Sequence, residues 1–86
     1  MPTTVTSLED IRRLAIQERK RRKLTQTETA GLINHTQKWL SEFETGKVDP
    51  PASMVLRLIR LLGITLVAEV SVEARGTSDL DAGDGL

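Results

Sequence analysis

The feature that most constrains the fold is the punctuation between Leu24 and Gly46. Thr25-Gln26-Thr27-Glu28 is a capping box: the Thr25 side chain caps forward and Glu28 reaches back to the Thr25 amide. It fixes the start of one helix, and Leu24 just before it is placed for a hydrophobic staple. Thr29, Ala30, Leu32 and Ile33 follow, and Ala30 is small enough for close helix–helix approach. Gly31 weakens the segment by up to ~1 kcal/mol relative to Ala, so this helix relies on packing. Asn34 then stands where the chain must turn, and Asn tolerates the left-handed conformation better than most residues. Thr36 is the next N-cap. A second helix is expected from Gln37 to about Thr45, with Leu40 and Phe43 on its buried side and Gly46 ending it. The stretch therefore reads as two short helices joined by a tight turn.

The flanks supply support. Residues 1–6 have little to bury and are expected to be flexible. Ser7 caps a first helix, Glu9 and Asp10 suit its positive end, and Leu8, Ile11, Leu14 and Ala15 recur at helical spacing. That helix ends in Arg19-Lys20-Arg21-Arg22-Lys23. Five cations either complement the negative end of the helix dipole or meet phosphates; the run alone does not decide. After the loop Lys47-Val48-Asp49-Pro50-Pro51, Ser53 is the expected cap of a fourth helix that runs to Leu62 and stops at Gly63. Met54, Val55, Leu58, Ile59, Leu61 and Leu62 make it apolar over more than half its surface. Such a helix needs two covers, its own core and something else.

From Ile64 the period changes to two. Ile64, Leu66, Ala68, Val70 and Val72 alternate with Thr65, Val67, Glu69 and Ser71, which predicts a strand with one apolar face. No second strand is visible to pair with it. The economical partner is the same strand in a second copy, antiparallel across a two-fold axis. The competing reading is an irregular extension packed on its own domain. The last residues, GTSDLDAGDGL, are almost without apolar side chains and are expected to be disordered. The expected organisation is a flexible start at 1–6, a four-helix domain at 7–63, a dimerisation strand at 64–73 and an acidic tail at 74–86.

Size and composition bound the function. The 86 residues allow one domain with a small core, and a chain this short gains from dimerisation. Aromatic residues make up 2 %, from Trp39 and Phe43, so aliphatic side chains must fill the core. With no cysteine and one histidine, His35, neither a disulfide framework nor a thiolate or multi-histidine metal site is expected, and no cofactor is implied. Lone, His35 reads as a partly buried structural residue. No apolar run spans a bilayer, no membrane partner is expected, and Met1-Pro2-Thr3-Thr4 lacks a signal-peptide layout; the expected location is cytoplasmic. An enzyme is not expected, for there is no carboxylate–histidine set, no nucleophile with a base and no glycine-rich phosphate loop. The net charge of zero conceals segregation: residues 11–60 carry eleven Lys+Arg against five Asp+Glu, and residues 61–86 carry one Arg against five acids. A basic body suits a polyanionic partner, and a merely solvated surface is the alternative.

Residues 24–46 resemble the helix-turn-helix of the phage-repressor-like (Cro or XRE) family, whose pattern reads roughly L-T-Q-x-E-L-A, a turn with Gly, then S-x-x-x-I-S-x-x-E-x-G. Leu24-Thr25-Gln26, Glu28, Ala30, Thr36, Leu40-Ser41, Glu44 and Gly46 fit in register. Asn34 replaces the turn Gly, Thr29 a usual Leu, and His35 a usual inward Val. The resemblance implies double-stranded operator DNA as partner. It places Gln26 and Thr27 at the phosphate backbone, with Gln26 also bracing the recognition helix. Thr36, Gln37, Lys38 and Ser41 would face the major groove, where Gln37 pairs with adenine and Lys38 reaches guanine; Glu42 is a weaker candidate. Lys47 would hold the next phosphate, through its backbone and side chain. Arg19 and Glu44 match a structural ion pair of the family. Trp39 reads either as an edge of the core covering the second or fourth helix, or as a groove-facing aromatic on a thymine methyl.

The segment KWLSEFETGKVDPPASMVLRLIRLLGITL narrows the resemblance to the HipB-like antitoxins. In that group paired strands cap a homodimer, which binds its own operon and neutralises a HipA-like serine/threonine kinase toxin. Two other readings stay open: a stand-alone repressor of the same family without a toxin, and an adaptor that uses the apolar helix and strand to bind protein.

Overall fold

The structure is a computed structural model that describes residues 3–72; Met1, Pro2, the last residue of the expected strand and the acidic tail lie outside the described residues. The chain is mainly helical, with α1 at Leu8–Arg21, α2 at Gln26–Leu32, α3 at Gln37–Glu44 and α4 at Ala52–Leu61. Three of the four starts are capped by the expected side chains. Ser7 Oγ accepts from the Asp10 N–H, Thr25 Oγ1 from Glu28 and Thr36 Oγ1 from Trp39. The capping box is complete, since the Thr25 N–H also donates to Glu28 Oε1 at 2.8 Å. At α1 the reciprocal contact reaches one residue further back. The Thr6 N–H donates to Asp10 Oδ2 at 2.9 Å, and together with Arg13 it holds the Asp10 carboxyl down at about 2.

Helix α4 starts differently from expectation. Pro51, not Ser53, is its N-cap, and no side chain caps it. The Pro51 carbonyl accepts from the N–H groups of Met54 and Val55 at 3.0 and 3.2 Å. Two consecutive prolines hold the backbone extended up to Pro51, so the helix begins at once at Ala52, and Ser53 falls inside the first turn.

All four helices end in the same way. The residue just past the cap has a positive φ: Lys23 (59°), Asn34 (59°), Gly46 (82°) and Gly63 (82°). In each case its N–H donates back to the last turn, and the next N–H donates one residue deeper, as in Gly46 to Phe43 (3.1 Å) and Lys47 to Glu42 (2.8 Å). This paired closure is the Schellman motif. Glycine meets it without strain at two ends, Asn with little at the third, and Lys23 with the cost of a Cβ in the left-handed region.

The core is aliphatic around one aromatic ring. Ala15, Ala30, Ile33, Leu40, Phe43, Val55, Leu58 and Leu62 form one buried cluster, edged by Leu8, Ile11, Leu24, Trp39, Val48, Met54 and Ile64. Helix α3 packs on α2 and α1, and α4 packs on α1. Thr29 is fully buried at a position where an apolar residue is usual, and its hydroxyl donates to the Thr25 carbonyl at 2.9 Å. The hydroxyl is thus satisfied inside its own helix, and its burial costs little. Trp39 lies at the edge of the core, packed against this cluster, in a column of rings four residues apart, on His35 (centroids 4.5 Å apart) and on Phe43 (5.8 Å).

One buried charge was not foreseen. Arg12 is 6 % exposed. Its Nε donates to the Phe43 carbonyl at 2.8 Å and its Nη2 to the Val48 carbonyl at 2.7 Å, with Glu9 and Asp49 as counter-charges. The guanidinium thereby ties α1 to the end of α3 and to the loop before α4. Asp49 first, then Glu9, raises its pKa against the opposing effect of burial.

Residues 64–71 form no helix and no ladder within the described chain. Ile64 packs on the core and its N–H closes α4 on the Ile59 carbonyl at 2.9 Å. Beyond it the expected one-sided burial is absent: Leu66, Val67 and Val70 are 41 %, 84 % and 91 % exposed.

The four closures rank by strain. Lys23→Gly is expected to stabilise by about 0.5–1 kcal/mol, after allowing for the freedom glycine adds to the unfolded chain. Asn34→Gly should gain less. Gly63→Ala should lose stability, because it places a Cβ in the left-handed region at φ 82°. Thermal unfolding of the three variants by circular dichroism checks the order.

Candidate nucleic-acid interface

The end of α1, the start of α2 and both ends of α3 meet in one polar relay. Arg19 Nε donates to Glu44 Oε2 at 2.7 Å and its Nη2 to Glu44 Oε1 at 3.1 Å, a two-point pairing between side chains 12 % and 7 % exposed. The remaining Arg19 Nη1 donates to the Leu24 carbonyl at 2.9 Å. Glu44 Oε1 also accepts from Gln26 Nε2 at 3.0 Å, and Gln26 Oε1 accepts from Gln37 Nε2 at 2.6 Å. Gln26 and Gln37 are the first residues of α2 and α3, so the relay sets these two helix starts side by side.

The relay fixes what each glutamine can offer. Both polar ends of the Gln26 side chain are engaged, which leaves its backbone N–H and that of Thr27 without an intrachain acceptor among the described residues. Gln37 commits one amide hydrogen to Gln26 and keeps the other, with its oxygen, for a ligand. The amide is held in one orientation before any ligand arrives.

At about 100° per residue, Gln37, Ser41 and Lys38 span an arc of roughly 100° on α3, away from Leu40 and Phe43. Gln37 and Lys38 are exposed and Ser41 and Glu42 half-buried, while Leu40 and Phe43 are buried. Thr36 is exposed at the helix start, with its oxygen engaged as cap. Thr27 is exposed on α2. Lys47 follows α3, but its backbone N–H is spent on the Glu42 carbonyl at 2.8 Å, so only its ammonium group is left for a ligand.

The cations divide into two groups. Arg12, Arg13, Arg19, Arg21 and Arg22 are all in ion pairs. Within the run at the end of α1, Arg21 and Arg22 both bind Glu18 and hold its carboxyl down at about 2. Of that run only Lys20 and Lys23 lack an ion pair among the described residues. Lys38, Lys47, Arg57 and Arg60 are likewise without one. The basic surplus is therefore carried by six side chains, two of them on or next to α3.

A family model for the helix-turn-helix domain matches residues 10–71, a span that holds all of α2, α3 and α4 and most of α1. The chain belongs to the helix-turn-helix domain family. No individual curated protein matches it significantly. A helix-turn-helix domain points to a sequence-specific DNA-binding regulator. No described helix of the domain is long and apolar enough to cross a membrane.

Glu44→Ala would strand the Arg19 guanidinium at 12 % exposure and release Gln26. The expected loss is about 3 kcal/mol, measured by urea unfolding. The double change Arg19→Met with Glu44→Leu should recover most of that stability, because it removes both charges together.

Proposed function

We propose that the protein is a homodimeric, sequence-specific DNA-binding repressor that acts as the antitoxin of a toxin–antitoxin operon. Each copy would place α3 in a major groove, with Gln37, Lys38 and Ser41 toward base edges and Thr36 at the rim. The N–H groups of Gln26 and Thr27 and the ammonium of Lys47 would meet phosphates. The observation that carries the DNA-binding part is the oriented, exposed Gln37 amide beside Lys38, on a helix anchored by the Arg19–Glu44 pair. Phosphate contacts would supply affinity and salt dependence, and the α3 side chains sequence preference.

Dimerisation is supported by the segment after α4. No backbone hydrogen bond ties residues 65–70 to the rest of the described chain, and Leu66, Val67 and Val70 stand in water. Pairing of the segment from Ile64 to Val72 with the same segment of a second copy would give the backbone groups of residues 65–70 partners. It would also set two copies of α3 about one helical turn apart on DNA. The antitoxin role, with a HipA-like kinase as the second partner, rests on the resemblance of residues 38–66; a stand-alone repressor is the alternative. Copurification of a kinase with the protein from its native operon separates the two.

Two outcomes are expected. Lys38→Ala should weaken operator binding roughly 5- to 100-fold with the loss concentrated at particular base pairs, as read by binding to a panel of singly substituted operators. A uniform loss over the panel would make Lys38 a phosphate contact. Val67→Pro with Val70→Pro removes one N–H group from each edge of the segment, so whichever edge pairs loses a donor, and leaves Ile64 in the core. Sedimentation equilibrium should show a monomer, and a double variant that stays dimeric would rule out strand pairing.

A further inference from the structure

Helix α4 and the segment that leaves it form a second surface, on which the relay of α3 does not draw. An open groove of about 480 Å³ lies between them. Its apolar side chains include Leu56, Ile59, Ile64 and Leu66, of which Leu56 is 50 % exposed and Leu66 41 %. Arg57 and Arg60 line the same groove, both exposed and both without an ion pair among the described residues. An apolar floor beside two uncompensated guanidinium groups selects a short segment with an apolar side chain flanked by carboxylates.

The chain contains such a segment. Asp79-Leu80-Asp81 sets one leucine between two acids, and it lies in a stretch with no other cation after Arg75. We propose that Asp79-Leu80-Asp81 docks in this groove of its own chain, with Leu80 against Leu56 and Leu66 and the two aspartates at Arg57 and Arg60. The tether makes this workable. Leu80 lies 14 positions after Leu66, and a random coil of that length has a root-mean-square span of about 20 Å. The segment is therefore presented to the groove at an effective concentration in the millimolar range, so a contact too weak to hold a free peptide is still populated. The docking uses side chains of α4 and residues 64–66, whereas pairing with a second copy would use backbone groups, and it does not depend on DNA binding. Its consequence is a tail that neutralises the positive charge of α4 and covers Leu56.

The chain has no cysteine, so Ser78→Cys provides a unique site for a nitroxide label in the full-length protein. The label should broaden the NMR signals of Leu56, Arg60 and Leu66 at least several-fold more than those of Lys38 and Lys47. The broadening should fade in 0.5 M salt and in the labelled Arg57→Gln, Arg60→Gln and Leu80→Ser variants. Even broadening over the whole surface, or strongest broadening at α3, overturns the proposal. So does broadening of equal depth when labelled, isotope-silent chains are mixed with unlabelled, isotope-enriched ones, because the groove would then hold the tail of a second copy.

Discussion

The pairing of Arg19 with Glu44 is the contact on which the geometry of the polar surface depends. It joins residues 25 positions apart, at the end of α1 and the end of α3. Each side chain has further bonds that pass the constraint on. Arg19 holds the carbonyl of Leu24, just before α2, and Glu44 holds the amide of Gln26, just inside it. A nearly buried ion pair of this kind contributes modest net stability, since desolvation offsets much of the attraction. Its value lies in direction, because a two-point fork admits one relative placement of the elements that carry it.

Arg12 is the second anchor and works by a different route. It bonds mainly to backbone carbonyls, at the last turn of α3 and at Val48, so it positions a loop and a helix end whatever side chains those places carry. Together the two arginines fasten one face of α1 to both the start and the finish of the helix-turn-helix. The other arginines of α1 are paired at the surface, where exposed pairs contribute little. That leaves lysines, with long and strongly hydrated side chains, as most of the cations open to a ligand.

What the sequence made legible was local. The box at Thr25 and Glu28, the cap at Thr36, the left-handed Asn34 and the stops at Gly46 and Gly63 are each decided within about five residues, and each is present. Arg12 was hidden because its acceptors, the carbonyls of Phe43 and Val48, are 31 and 36 positions away and belong to backbone, which carries no residue-type signal. The pairing of Gln26 with Gln37 spans 11 positions and was hidden for a similar reason, although the resemblance pointed to a bracing role for Gln26. Ser53 misled because it has the right chemistry for a cap, while two prolines upstream had already set where the helix starts. Residues 64–72 show period two in sequence but form no ladder among the described residues, since a strand also needs a second segment to pair with.

The uniform closure of the helices has a kinetic side. Each helix is stopped and turned by bonds between residues three to five apart, so the layout of the four helices needs no distant contact to be roughed out. Proteins dominated by such near-neighbour contacts fold in microseconds to milliseconds, and the distant contacts made by Arg12 and Arg19 would come last, as locks on an arrangement already sketched. The chain can make these turns as it emerges, before the segments that its distant contacts need are present.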